Sequence, residues 1–284
     1  MDSQSGSIEA GGFQLRYQIE GTGIPTIVIG SALKESRLFS PHLRGHLRLV
    51  FLDHRGFATP PSQIDPASFQ LETLVDDIEC ARQTLGLERV AVMGQSGHAY
   101  MALEYGKKYA AHVSHVVMVG IAPDLSAASQ QAAERYWRES VSPERKAVFQ
   151  ANLQRFPDDV LAQLPRVDRA RQTRLQNAPK IWYDPHFDET PQWEGVESNE
   201  VIRRVWDEVF SVIDITRGLE TFHVPVFLAL GRYDFRVAPP SSWEPLRPHF
   251  RNLTVRVFER SGHTPCYEEP NLFDAALLSW MQQY

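Results

Sequence analysis

Residues 89–106 read RVAVMGQSGHAYMALEYG, and this stretch decides the fold. An apolar, β-branched run over residues 90–93 meets the turn GQSG at 94–97, and apolar residues then recur at helical spacing. A strand, a sharp turn and a helix are therefore predicted. A serine at such a turn exposes its hydroxyl above the sheet edge, beside the unpaired N–H groups of the helix start. The pattern predicts a nucleophile at Ser96 and an oxyanion-binding N–H at Gly97; a glycine-rich turn with a solvated serine is the alternative.

Two polar residues that follow late strands complete a set with this serine. The run at 224–230 leads into Asp234, and the run at 253–258 leads into His263. A serine hydroxyl needs a base to take its proton, and the imidazole needs a carboxylate to orient it. The order Ser96, Asp234, His263 predicts a catalytic triad at one sheet edge. Asp124, after an earlier strand, is the alternative acid.

With these motifs in this order, the chain resembles the α/β-hydrolase superfamily over nearly its whole length. The segments GRYDFRV at 231–237 and FERSGHTPCYEEP at 258–270 are most similar to the proline-iminopeptidase-like branch. The resemblance implies an α/β fold with a mostly parallel, eight-stranded sheet flanked by helices. A helical cap is expected before the last two strands. We expect residues 1–123 and 223–284 to form the core domain and residues 124–222 to form the cap.

Two loops depart from the family pattern. The family's elbow G-x-S-x-G has His98 in its last place, where a bulky ring either crowds the turn or lines the pocket. The family's H-G-x-P loop reads IGSA at 29–32 here. The resemblance implies that the second oxyanion N–H belongs to Ser31, since a backbone donor does not depend on its side chain.

Other segments complete the predicted sheet and its helices. Phe13–Glu20 is expected to be an edge strand, and residues 25–30, 47–53 and 113–121 are predicted to be buried strands. Residues 71–86 and 270–283 have the apolar spacing of amphipathic helices. The D-x-R-G sequence formed by Asp53 and Arg55 is expected to hold its loop in shape.

The predicted cap contains four of the six tryptophans of the chain. Aromatic residues in a lid favour a largely apolar binding cleft, although tryptophans also hold small helical layers together. Four residues are candidates for substrate binding: His98, Trp137, Trp182 and Trp206.

Composition limits the remaining classes of function. The chain has 284 residues, 43% of them apolar, with a formal charge of −6, which gives no electrostatic case for nucleic acid. No apolar run is long enough to span a membrane, and the polar residues 1–12 lack the pattern of a signal peptide, so we expect a cytoplasmic protein. The two cysteines are too far apart for a zinc or redox motif. The predicted chemistry requires no metal and no cofactor; the oligomeric state, a homodimer included, stays open.

The function predicted from the sequence is hydrolysis of a small or medium apolar ester, lactone or amide. A proline-iminopeptidase-type aminopeptidase is the second interpretation, with Glu194, Glu197 and Glu200 as candidates to bind a free amino terminus. Family members with that activity resemble one another in a tryptophan just after the nucleophile, where this chain has Gly97. A ligand receptor or lyase on the same fold is the third interpretation.

Overall fold

A computed structural model describes residues 4–284, apart from the side chain of Val167. Its centre is an eight-stranded sheet in the order β1-β2-β4-β3-β5-β6-β7-β8. The first two strands run antiparallel to their neighbours, and the other pairs are parallel. The strands are β1 Gln4–Ala10, β2 Phe13–Glu20, β3 Ile24–Gly30, β4 Leu47–Asp53, β5 Val90–Gln95, β6 Val113–Val119, β7 Val226–Gly231 and β8 Leu253–Phe258. The predicted fold class is thereby confirmed.

The central strands are apolar on both faces because helices cover both sides of the sheet. In β5, Val90 and Val92 belong to the core on one face, while Ala91 and Met93 belong to the core on the other. Helices α2 (Leu71–Thr84) and α3 (His98–Lys108) pack on the first face. Helix α10 (Pro270–Met281), which follows the short helix α9 (Pro265–Glu268), packs on the second face.

The sequence placed the sheet edge one strand too far inward. Phe13–Glu20 was expected to be an edge strand, but β1 pairs along its outer side, from Gln4 opposite Ile19 to Ala10 opposite Phe13. The polar composition of β1 hid it, because only Ile8 and Ala10 are buried there and its other five residues are exposed. Residues 1–3 of this amino-terminal stretch lie outside the described residues.

The segment between β6 and β7 contains helices and no strand in the described residues. Its α-helices are α4 Ala127–Ser140, α5 Pro143–Arg155, α6 Asp158–Gln163, α7 Arg166–Ile181 and α8 Glu200–Arg204. We call residues 124–222 the helical segment. Whether this segment and the remainder of the chain are separate core and cap domains stays a prediction. The carboxyl ends of β3, β4 and β5 lie side by side, since Gly30 pairs with Asp53 and Ile29 pairs with Gly94.

Candidate active site

The turn between β5 and α3 holds Ser96 in a strained backbone conformation. Its φ is 56°, and it is the only non-glycine residue with positive φ in the described part of the chain. A side chain in this region costs roughly 1–3 kcal/mol, so neighbouring contacts must hold it in place. The N–H of Ser96 donates to the carbonyl of Val119 at 2.8 Å, which ties the turn to the end of β6.

Helix α3 crosses β5 so closely that position 94 accepts only glycine. A Cβ on Gly94 would lie 2.1 Å from the carbonyl oxygen of His98. His98 does not crowd the turn, because it forms the first residue of α3 and its ring lies away from this crossing, against Phe57 and Trp206. The elbow therefore forms with a histidine in the last place of the motif.

His263 and Asp234 are hydrogen-bonded to each other next to this turn. Nδ1 of His263 lies 2.7 Å from Oδ2 of Asp234, and the two residues are 6% and 3% exposed. The loop is close to the end of β6, since a Cβ on Gly120 would lie 2.4 Å from the carbonyl oxygen of His263. Because Ser96 binds the preceding residue, Val119, the nucleophile turn and the histidine loop meet at the same strand end.

The alternative acid has a different place. Asp124 accepts hydrogen bonds from the N–H of Ser126 at 2.9 Å and from the hydroxyl of Ser129 at 2.7 Å. These contacts lower the pKa of its carboxyl group, although partial burial opposes them. Asp124 thus supports the start of α4, while Asp234 is the carboxylate that orients His263.

Gln95 joins the nucleophile to the histidine loop, and sequence reasoning missed it. Its Nε2 donates to the carbonyl of His263 at 3.0 Å and to the hydroxyl of Thr264 at 2.7 Å. Its Oε1 accepts from the Lys34 ammonium at 3.1 Å. The middle residue of G-x-S is variable in the motif, so the sequence offered no signal for this contact.

Asp53 of the D-x-R-G sequence shapes the loop after β3, and Arg55 binds elsewhere. Oδ1 of Asp53 accepts the N–H of Ala32 at 2.7 Å, and Oδ2 accepts from Arg16 at 2.7 Å. Burial raises the pKa of this carboxyl group, while the bond to Arg16 opposes the shift. Arg55 forms two hydrogen bonds to Asp77 instead, at 2.6 and 2.9 Å. Asp53 therefore fixes the residue next to Ser31.

Ser31 and Gly97, the candidate oxyanion donors, follow the neighbouring strands β3 and β5, which pair from Thr26 opposite Ala91 to Ile29 opposite Gly94. Ser31 is fully buried at the end of β3 and caps the short helix α1 (Ala32–Glu35). Gly97 precedes α3, which leaves its N–H among the free donors of a helix start. A Cβ on Gly97 would lie 2.6 Å from the ring of Phe210 and 2.8 Å from that of Trp206, so a larger residue does not fit there.

Glu268 binds the histidine loop from the other side. Its Oε1 accepts the N–H groups of Gly262 at 2.9 Å and Thr264 at 3.0 Å, which flank His263. Its Oε2 accepts the N–H of Tyr183 in the helical segment at 2.7 Å. Burial raises the pKa of Glu268 to about 7, although the three N–H donors oppose this shift. Acidic residues in the segment CYEEP were the only sequence signal for it.

The helical segment contacts every loop that carries a candidate catalytic group. Asn199 donates to the carbonyls of Arg55 and Ala58 after β4. Arg37, in the loop after α1, donates to the carbonyl of Gln192, and Gly97 of the elbow lies against Phe210 and Trp206. In the acid loop, the N–H of Phe235 donates to the carbonyl of Lys180. In the histidine loop, the N–H of His263 donates to the carbonyl of Ile181. The segment therefore lies over the carboxyl end of the sheet.

The candidate binding residues are not all brought together. Trp206 packs against His98 with ring centroids 5.1 Å apart, directly above the elbow. Trp137 lies against Phe235, next to the acid Asp234. Trp182 packs into a small cluster with Phe187 and Tyr267 instead, and its backbone lies against Gly262 of the histidine loop.

A cleft of about 580 Å³ opens where the helical segment meets the acid loop. Tyr233 and Phe235, which flank Asp234, form one wall, and Arg145 and Tyr183 contribute to the other. Ser96 does not line this cleft. Within residues 4–284, no group of three or more metal-ligating side chains is found. None of the helices described is both long and apolar enough to cross a membrane.

Comparison with known proteins agrees with this fold. The family model described as "alpha/beta hydrolase fold" matches residues 22–270. The chain belongs to the α/β-hydrolase family. It is 37% identical to the AB hydrolase superfamily protein YclE of Bacillus subtilis over 281 residues, which cover 99% of each chain. The predicted family and the hydrolase class are thereby confirmed.

Solved structures of this family share the fold at low identity. A proline iminopeptidase from Mycobacterium smegmatis aligns with a TM-score of 0.72 and 17% identity, covering 99% of this chain and 98% of that one. A meta-cleavage product hydrolase from Pseudomonas fluorescens aligns with a TM-score of 0.71 and 19% identity, covering 98% and 97%. Since both likenesses lie below 20% identity, they establish the α/β-hydrolase architecture and leave the substrate open.

Proposed function

We propose that this chain is a serine hydrolase that cleaves a small or medium, largely apolar ester, lactone or amide. The observation that carries the proposal is the strained φ of 56° at Ser96, in a turn that adjoins the bonded pair of His263 and Asp234. Strain of this kind persists where the surrounding structure maintains it, and it clusters at active sites.

In the proposed mechanism, Ser96 attacks the substrate carbonyl while His263 takes the hydroxyl proton. Asp234 holds the imidazole in one tautomer and offsets the positive charge that develops on it. The N–H groups of Gly97 and Ser31 stabilise the oxyanion, each by about 3 kcal/mol. His263 then returns the proton to the leaving group. A water molecule, activated by the same histidine, releases the acid and restores Ser96.

The apolar character of the substrate is inferred from the groups above the elbow. Trp206 and Phe210 lie against Gly97, and Phe57 packs on His98 beside them. Aromatic side chains of this kind favour an apolar acyl or alcohol group. We further propose that the helical segment acts as a cap, which must move for the substrate to reach Ser96.

The aminopeptidase interpretation has less support. A protein named proline iminopeptidase from Pestalotiopsis fici is 24% identical to this chain over 290 residues. The carboxylates that would bind an amino terminus here are exposed, however: Glu194, Glu197 and Glu200. Exposed carboxylates bind an ammonium group weakly, because water competes for it.

The test is hydrolysis of a panel of aromatic esters, lactones and a proline arylamide by the wild-type protein and by Ser96→Ala. We expect turnover of esters or lactones that falls by at least about 10³-fold in the variant. Ser241→Ala, at an exposed serine, is the matched control and should retain wild-type rates.

Other outcomes would change the assignment. A preference for the arylamide would replace the esterase with the aminopeptidase. If no substrate is cleaved, while a ligand binds tightly to the wild-type protein, the receptor or lyase interpretation takes its place. Turnover that persists in Ser96→Ala would remove Ser96 as the nucleophile.

A further inference from the structure

Two buried histidine rings lie side by side next to the nucleophile turn. His54 follows β4, and His98 begins α3; their ring centroids are 4.9 Å apart. The two residues are 3% and 6% exposed. Trp206 of the helical segment packs on both rings, at centroid distances of 6.1 and 5.1 Å. Because Trp206 also contacts Gly97, the pair adjoins the proposed oxyanion hole.

The inner nitrogen of each ring has a partner that fixes its tautomer. The N–H of Gly56 donates to Nδ1 of His54 at 3.0 Å, so the proton of the neutral ring is on Nε2. Nδ1 of His98 lies 3.2 Å from the carbonyl oxygen of Gln95, which can only accept, so this nitrogen carries the proton. Nε2 of His54 is therefore a donor and Nε2 of His98 is an acceptor.

Neither outer nitrogen has a hydrogen-bond partner within residues 4–284, and both are buried. An unsatisfied buried polar group costs about 1–3 kcal/mol, so two of them together at a packed junction are an appreciable loss. Because the ring centroids are only 4.9 Å apart, we infer that one ligand group that both accepts and donates is the simplest partner for the two nitrogens. A hydroxyl group has this property.

The pair also carries no charge that would select an ion. Burial lowers the pKa of His54 to about 3. Burial also lowers the pKa of His98, and repulsion between its protonated form and the cationic forms of His54 and Lys34 adds to the effect. The ammonium of Lys34 is itself paired with Glu35 at 3.1 Å. A neutral hydroxyl group therefore fits this place better than a carboxylate or phosphate.

We propose that His54 and His98 form a subsite for a neutral hydroxyl group of the substrate. Nε2–H of His54 donates to the hydroxyl oxygen, and the hydroxyl hydrogen is donated to Nε2 of His98. The subsite rests on the proposed hydrolase function and adds a substrate class to it, namely hydroxylated esters or lactones. The hydroxyl group belongs to the acyl or the alcohol part of the substrate.

The first test compares kcat/KM for matched aryl esters with and without a hydroxyl group, placed on the acyl part in one series and on the alcohol part in another. The wild-type protein should prefer the hydroxylated member of one series. His54→Asn and His98→Asn keep a partner for the inner hydrogen bond and delete the outer nitrogen. Each should reduce the hydroxyl preference about tenfold. His98→Phe keeps a ring without nitrogens and should do the same.

His115 provides a matched control, since it is also 6% exposed but packs on Trp280, away from the elbow. His115→Asn should leave the hydroxyl preference unchanged. Equal kcat/KM for both members of each series, or a preference that survives in the His54 and His98 variants, would overturn the subsite. The hydrolase proposal is read separately, from turnover of the unsubstituted ester that Ser96→Ala abolishes.

A second measurement does not depend on turnover. In Ser96→Ala protein labelled with ¹⁵N-histidine, the hydroxylated ester should shift the Nε2 signals of His54 and His98, and the unsubstituted ester should not. Identical signals with both esters would overturn the proposal, because the substrate hydroxyl group would then not contact the two Nε2 atoms and a trapped water molecule would be their partner. This measurement needs only folded Ser96→Ala protein, so it tests the subsite even if the His54 and His98 variants do not fold.

Discussion

At Ser96, a single backbone angle distinguishes the proposed nucleophile from an ordinary turn serine. The φ of 56° lifts the residue out of both β5 and α3, and the carbonyl of Val119 holds its N–H at 2.8 Å. The candidate base is fixed just as locally, by one hydrogen bond of 2.7 Å between His263 and Asp234. Individual contacts of this kind give predictions at single residues.

Replacing Asp234 with asparagine should remove most of the catalytic rate. The amide keeps the shape of the carboxylate, but its N–H donates to Nδ1 of His263 and so places the imidazole proton on Nε2, which must be free to take the serine proton. The amide also carries no negative charge, so we expect kcat to fall by roughly 10⁴-fold. Steady-state kinetics on the best ester of the panel measures this.

Asp124→Asn is the matched control for that substitution. Asp124 accepts hydrogen bonds at the start of α4, so its replacement should cost up to about 1 kcal/mol of stability and leave kcat within a factor of two. A large loss of kcat in Asp124→Asn with little in Asp234→Asn would exchange their roles.

At the scale of elements, the site depends on how closely α3 approaches β5. The crossing leaves no room for a Cβ on Gly94, which would lie 2.1 Å from the carbonyl oxygen of His98. Gly94→Ala should therefore push α3 away, lower the free energy of unfolding by about 1–3 kcal/mol and reduce kcat. Urea unfolding and ester kinetics measure the two effects.

Gly45 offers the comparison for this change. It has a φ outside the left-handed region, and a Cβ there would meet nothing within 4 Å. Gly45→Ala should be close to neutral in stability and activity. Equal effects of the two alanines would mean that the helix crossing is looser than the structure describes.

The histidine loop is a second element that depends on one side chain. Glu268→Ala removes the acceptor for three N–H groups, two of which flank His263, so we expect a loss of about 2–4 kcal/mol in unfolding free energy. Misplacement of the base should lower kcat about 100-fold, with a smaller change in KM.

Glu268→Gln should restore part of this kcat, because its amide oxygen still accepts N–H groups. The control Glu259→Gln breaks an exposed pair with Arg232, and such pairs contribute little. A Glu268→Ala variant with unchanged kcat would remove Glu268 as a positioning residue.

At the scale of the whole molecule, the helical segment buries groups that lie on separate strands. His54 follows β4 and His98 follows β5, and Trp206 covers both. Burial lowers the pKa of His98 below the usual 6.5. As the pH falls below that value, the unfolded chain binds a proton that the folded protein does not, so the folded state loses stability.

This linkage predicts a pH-dependent difference between the wild-type protein and His98→Phe. Between about pH 7 and pH 5, the wild-type protein should lose about 2 kcal/mol more unfolding free energy than the variant. Urea unfolding at the two pH values measures the difference. His223→Phe, at an exposed histidine, should behave like the wild-type protein, and equal losses in His98→Phe and wild type would show that His98 binds a proton in the folded state.

The sequence by itself determined the order of the strands along the chain and the identity of the elbow. The predicted strands Leu47–Asp53 and Leu253–Phe258 match β4 and β8 residue for residue, because apolar and β-branched residues, which favour strands, dominate both runs. Ser96, Asp234 and His263 were predicted for a related reason, since each follows a strand at the edge where parallel strands end together.

Only the tertiary structure decided which side chains support these residues. Strand β1 was not predicted, because five of its seven residues are polar or glycine and it forms a strand only by pairing with β2. The side chains of Gln95 and Glu268 bind backbone groups of the histidine loop. The rings of His54 and His98 contact each other although they are distant in sequence. Such contacts leave no periodic pattern in the chain, because they depend on distances that exist only after the sheet and the helical segment have packed together.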